Sequence, residues 1–92
     1  MACLQPDEVE ERLARLEGWS REGDAIVRGY RCGNFLGSLE LVNRIAPVAE
    51  EMNHHPDLAV SWDTVTVAIT THSEGGLTAG DFELAQRIDA LG

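Results

Sequence analysis

Pro56 divides the chain into two hydrophobic rhythms, and that break limits the fold more than any other feature. Upstream, residues 34–53 ("NFLGSLELVNRIAPVAEEMN") repeat apolar side chains at helical spacing: Leu39, Val42, Ile45, Ala46, Ala49 and Met52. Downstream, residues 58–72 ("LAVSWDTVTVAITTH") are dense in β-branched residues and read as two strands on either side of Asp63. A proline cannot donate a backbone hydrogen bond, and it pushes the residue before it, here His55, towards extended backbone. The helix must therefore end before Pro56. Asn34 is placed to cap its start. Pro47 lies inside the same apolar period, which runs through it, so it predicts a kink and not an end.

The flanking segments follow the same logic. Residues 5–19 ("QPDEVEERLARLEGW") predict a first helix, with Pro6 at its start, Asp7 and Glu8 at its positive end and Gly18 at its stop. Val9, Leu13 and Leu16 form its apolar stripe. Residues 19–32 ("WSREGDAIVRGYRC") predict a hairpin turning around Gly23. In its second arm Ile26, Arg28, Tyr30 and Cys32 face one way, and Val27, Gly29 and Arg31 the other. "SEGG" at 73–76 is a turn. Residues 78–92 then form a last helix, with Thr78 and Asp81 at capping-box spacing and Phe82, Ala85, Ile88 and Leu91 along one side. The order α-β-β-α-β-β-α implies an α+β fold of two layers, a four-stranded antiparallel sheet with helices packed on one face. The 92 residues make one domain, residues 1–92. Such a sheet has two edges that invite pairing with another subunit.

Composition removes several classes of function. The net charge of −9 opposes direct contact with nucleic acid or an anionic membrane. All seven basic residues are arginine, which excludes a Schiff-base lysine and a phosphate-loop lysine. No apolar run approaches the roughly 20 residues of a membrane helix, and the N-terminus lacks the pattern of a signal peptide. Cys3 and Cys32 are too few for a disulfide framework and show no metal-ligand spacing, so a reducing cytoplasm is the expected setting.

What remains for chemistry gathers in one place. His54 and His55 sit where the long helix meets the next strand, and His72 ends the strand that returns. If the two strands pair as a hairpin, all three approach one end of the sheet. Glu50, one helical turn before His54, and Asp81, in the first turn of the last helix, come to the same end. Histidine titrates near neutrality, so a pair can hold a proton donor and an acceptor together, which suits addition or elimination of water. Plainer readings compete. The histidines could be solvated groups at a helix end, Asp81 a simple cap, Glu50 a solvated face and Trp62 a packing residue. Zinc is disfavoured, because adjacent histidines point apart and no HxxxH or CxxC spacing exists.

The pattern E-x3-H-H-P-x5-W-x9-H-x8-D, from Glu50 through His54, His55, Pro56, Trp62 and His72 to Asp81, resembles the signature of the pterin-4a-carbinolamine dehydratase family. "LEGW" at 16–19 and "GGLT" at 75–78 extend the resemblance over nearly the whole chain. It implies a hydro-lyase that dehydrates 4a-hydroxytetrahydropterin to quinonoid dihydropterin, recycling tetrahydrobiopterin for an aromatic amino-acid hydroxylase. It also implies His54 and His72 as the acid–base pair, with His55 completing the pocket. Glu50 would hold the pterin, and Asp81 would give support from the last helix. The reaction needs no metal or cofactor. Members form homodimers by joining sheets and homotetramers through helices. Others act as non-catalytic dimerisation or assembly modules that bind a protein partner. Such forms would be expected to lose site histidines, which this chain keeps. Two departures stand out: Leu58, where many members carry an aromatic residue, and Pro47 inside the long helix.

Overall fold

The computed structural model describes residues 2–91, so Met1 and Gly92 of the expected domain lie outside the described residues. The elements are α1 (Pro6–Leu13), β1 (Ser20–Glu22), β2 (Ala25–Arg31), α2 (Phe35–Met52), β3 (Asp57–Ser61), β4 (Thr64–Ile69) and α3 (Ala79–Asp89), with a 3-10 turn at His72–Glu74 between β4 and α3. The four strands form one antiparallel sheet in the order β1-β2-β4-β3, as the α+β reading requires. The two hairpins thus lie side by side, and β1 and β3 are the edges.

Register decides which strand residues enter the core. Ile26 lies opposite Ile69, Tyr30 and Val60 both flank Val65, and Leu58 and Arg28 both flank Val67. Side chains alternate along a strand, so all of these share one face. On it Ile26, Val65, Val67 and Ile69 are buried, packed with Ile45 of α2, with Phe82, Leu84, Ala85 and Ile88 of α3, and with Val9 of α1. The other face carries Gly29, Thr66 and Ala59 across its centre. At the first hairpin, Gly23 takes φ 61° in a two-residue turn, where a side chain would be disfavoured.

All three helices differ from the sequence expectation; α3 ends at Asp89, short of the expected end. α1 ends at Leu13, five residues before Gly18. Beyond it the hydrogen bonds tighten to three-residue spacing, Arg15 N–H to the Arg12 carbonyl and Leu16 N–H to the Leu13 carbonyl, while Leu16 and Trp19 enter the core. α2 starts on the Asn34 cap, whose side chain accepts the Gly37 N–H at 2.7 Å, and it continues through Pro47. Its inward stripe is Ser38, Val42, Ile45, Ala49 and Met52, whereas Leu39 and Ala46 are exposed. Ser38 displaces Leu39 because its hydroxyl donates to the Trp62 carbonyl at 2.8 Å, tying the helix to the β3–β4 turn.

The C-terminal end of α3 is fixed by Asp89. Its carboxylate accepts from the Trp19 indole N–H (3.0 Å), an Arg28 guanidinium N–H (3.0 Å) and the Tyr30 hydroxyl. Arg28 also donates to the Glu17 carbonyl at 2.8 Å and lies 4.6 Å from the Tyr30 ring centre. Burial, then the hydrogen bond to Asp89 and that carboxylate's charge, push the Tyr30 phenol well above the usual tyrosine range, against the opposing pull of Arg28. An acid whose folded pKa is raised adds stability that is complete below its unfolded pKa, about 10 for tyrosine, and is lost as pH rises beyond it. The urea midpoint is therefore expected to fall between about pH 9.5 and pH 11, and to fall less in Tyr30→Phe; equal alkaline losses in both proteins would exclude this origin.

Candidate active site

α2 ends in a way that aims His54. Asn53 takes left-handed backbone (φ 50°, ψ 44°), its N–H bonds the Glu50 carbonyl at 3.1 Å, and the His54 N–H bonds the Ala49 carbonyl at 3.0 Å. This is the Schellman arrangement, which stops a helix while satisfying its last carbonyls. Pro56 follows, and β3 begins at Asp57.

β3 leads away and β4 returns, but β4 stops at Ile69 and does not run to His72 as the sequence reading had it. Both ladders end there: Asp57, the first residue of β3, pairs with Ala68, and the pairing of β2 with β4 ends at Ile26 and Ile69. Thr71 instead bridges to Gly76, and His72 opens the 3-10 turn, exposed to solvent.

The adjacent histidines diverge. His54 Nε2 lies 2.6 Å from Asp81 Oδ1, with His54 nearly buried and Asp81 fully buried. A carboxylate only accepts, so Nε2 carries the hydrogen and Nδ1 of the neutral ring keeps its lone pair. The second Asp81 oxygen accepts the Thr78 N–H at 2.8 Å and the Thr71 hydroxyl at 2.9 Å. Asp81 thus completes the capping box of α3 and also meets a histidine ring. His55 turns back to Glu50, its Nε2 2.6 Å from Glu50 Oε2, with the two side chains 56% and 73% exposed.

His54, His55 and His72 line one open cavity of about 220 Å³, together with Asn53, Thr70, Thr71 and Ser73. A larger depression of about 360 Å³ lies on the other side of His54, between α2 and α3. No second histidine lines it, and its Arg87 is answered by Glu51 at 3.5 Å and Glu83 at 3.7 Å. Proton donors and acceptors meet in the smaller cavity, so that one is the candidate site.

Trp62 is not brought there. It sits in the turn at the far end of the β3–β4 hairpin, a strand length of roughly 17 Å away, with left-handed backbone (φ 46°) and 69% exposure. Two residues the sequence reading passed over matter more. Asn53 carried a signal, since asparagine tolerates the left-handed position that ends a helix. Thr71 carried none, because its partner is distant in sequence. Among the described residues no group of three or more His, Cys, Asp or Glu is arranged to hold a metal ion, and no helix is long and apolar enough to cross a membrane.

Residues 2–91 match the family model for pterin 4 alpha carbinolamine dehydratase. The chain belongs to the pterin-4a-carbinolamine dehydratase family. A relative from Sulfolobus acidocaldarius, provisionally named a pterin-4-alpha-carbinolamine dehydratase, is 44% identical over 96% of this chain and 97% of its own. The crystal structure of a transcriptional coactivator/pterin dehydratase from Brucella melitensis superposes with a TM-score of 0.92 at 31% identity, covering 97% of each chain. A pterin dehydratase-like protein identified as a RuBisCO assembly factor in the alpha-carboxysome shares the fold, with a TM-score of 0.64 at 18% identity over 79% of this chain and 84% of that one. The family is one of hydro-lyases, and in this member the signature residues Glu50, His54, His55, His72 and Asp81 gather at one end of the sheet.

The two histidine–carboxylate pairs differ in energetic weight. Asp81→Ala leaves the Thr78 N–H and the Thr71 hydroxyl short of a buried acceptor and should cost about 2–4 kcal/mol in urea unfolding. Glu50→Ala breaks an exposed pair and should cost less than about 1 kcal/mol. Equal costs would contradict the burial difference.

Proposed function

We propose that this protein dehydrates a 4a-hydroxytetrahydropterin to the quinonoid dihydropterin by histidine general acid–base catalysis. The observation that carries the reading is the lining of one cavity by His54, His55 and His72, with a buried carboxylate behind His54.

The chemistry is an elimination of water. The C4a–O bond breaks, the leaving hydroxyl takes up a proton, and N5 gives up its proton as the C4a–N5 double bond forms. His54, its Nε2 hydrogen committed to Asp81, offers Nδ1 as the base. His72, on a different segment, supplies the proton to the departing oxygen. His55, oriented by Glu50, completes the wall that holds the ring. Because Asp81 fixes the His54 tautomer, the base needs no reorganisation before it acts. The product then enters tetrahydrobiopterin recycling beside an aromatic amino-acid hydroxylase, in the cytoplasm, with the protein as a homodimer or homotetramer.

A second reading makes the chain a non-catalytic dimerisation or assembly module that binds a protein partner. The word coactivator in the name of the Brucella protein favours it. The retained histidines favour catalysis.

The deciding assay adds chemically generated 4a-hydroxytetrahydropterin to the purified protein. Acceleration over buffer is expected, with His54→Ala and His72→Ala each losing roughly 10²- to 10⁴-fold while remaining folded. A folded wild-type sample no faster than buffer would overturn the dehydratase reading, and a stoichiometric protein partner without pterin binding would establish the other.

A further inference from the structure

Thr71 is the only residue adjoining His72 in sequence whose side chain reaches Asp81 among the described contacts, and this position has a consequence for both halves of the site. Its backbone holds the turn that carries His72. The Thr71 carbonyl accepts the N–H groups of Glu74 and Gly75, each at 3.1 Å, and its own N–H reaches the Gly76 carbonyl at 3.3 Å. Its side chain holds the carboxylate behind His54, with Oγ1 2.9 Å from Asp81 Oδ2. The same Oγ1 lies 2.9 Å from Thr78 Oγ1.

A hydroxyl has one hydrogen. Asp81 accepts only, so the Thr71 hydrogen goes to Oδ2, and the Thr78 hydroxyl must then donate to Thr71. The result is a directed chain, from Thr78 to Thr71 to Asp81, which ends on the carboxylate that also accepts the His54 Nε2 hydrogen. Asp81 Oδ2 also takes the Thr78 N–H, so two fixed donors set the plane of the carboxylate and leave Oδ1 for the imidazole.

We propose that Thr71 is a positioning residue of the dehydratase site, holding the Asp81 carboxylate so that His54 keeps its hydrogen on Nε2 while its backbone keeps His72 at the same cavity. The proposal rests on the dehydratase reading for its kinetic consequence but not for its effect on the His54 ring. Removing the hydroxyl leaves Oδ2 with a single donor. The carboxylate can then rotate, and the hydrogen on His54 is no longer confined to one nitrogen. Loss of geometry at an acid–base group falls on the chemical step more than on substrate binding.

The test compares wild type with Thr71→Val, which keeps the branched shape without the hydroxyl, and Thr71→Ser, which keeps the hydroxyl. The His54 ring is followed by ¹⁵N NMR, assigned against His54→Ala, and turnover is followed with 4a-hydroxytetrahydropterin. In wild type and Thr71→Ser the neutral form of the His54 ring is expected to carry its hydrogen on Nε2. Thr71→Val should show both tautomers and a kcat lower by roughly 10- to 100-fold, with KM within about twofold. Should valine prevent folding, Thr71→Ala, which also lacks the hydroxyl, replaces it. A single Nε2–H tautomer and wild-type kcat without the hydroxyl would overturn the proposal, as would Thr71→Ser as impaired as Thr71→Val. If wild type itself shows no turnover, the dehydratase reading fails and the tautomer result alone decides the role of Thr71.

Discussion

A carboxylate removed from water costs several kcal/mol unless its oxygens meet donors. Asp81 is fully buried, and three donors meet it: the His54 ring, the Thr71 hydroxyl and the Thr78 N–H. They come from three segments, the end of α2, the end of β4 and the start of α3. Satisfying one anion therefore fixes where these three segments stand relative to one another. The cavity between His54, His55 and His72 is the space this arrangement leaves. Among the described residues no buried side-chain nitrogen or oxygen lacks a partner, so the polar network is complete without displacing the apolar core.

α3 carries a second carboxylate at its other end, and the two ends are handled differently. Asp81 stands where the helix dipole is positive and is met by neutral donors and an imidazole. Asp89 stands at the negative end, where an anion is disfavoured, and Arg28 answers it with a full charge beside the Trp19 and Tyr30 donors. One end serves the site, and the other ties the helix to β2 and to the segment after α1. Because α3 is held at both ends, the site rests on a helix whose position is fixed by the core and by two polar anchors.

Much of this was legible in local chemistry. Pro56, the Gly23 turn, the Asn34 cap and the Thr78–Asp81 spacing are contacts between near neighbours, and each appears where the sequence put it. The convergence of His54, His72 and Asp81 followed from topology, since a hairpin returns to its start. What was not legible depended on distant partners. Ser38 took the buried stripe from Leu39 because of the Trp62 carbonyl, 24 positions away. β4 stopped at Ile69, where its pairing with β2 and β3 runs out. Trp62 matched the family pattern yet lies at the wrong end of the hairpin for the cavity, so spacing alone did not assign its role. Thr71 was invisible because a threonine beside a histidine has no meaning until Asp81 stands in front of it.

The same fold is found in proteins named for catalysis, for coactivation and for assembly, so the fold does not choose among these roles. The choice falls on the histidine–carboxylate geometry. The most direct measurement is the dehydration rate of 4a-hydroxytetrahydropterin by wild type and by Asp81→Asn, with folding verified in the same samples. The account predicts that wild type outpaces buffer and that Asp81→Asn, with its uncharged amide behind His54, loses at least about tenfold in kcat while staying folded. An Asp81→Asn protein as fast as wild type, or a wild type no faster than buffer, would contradict it.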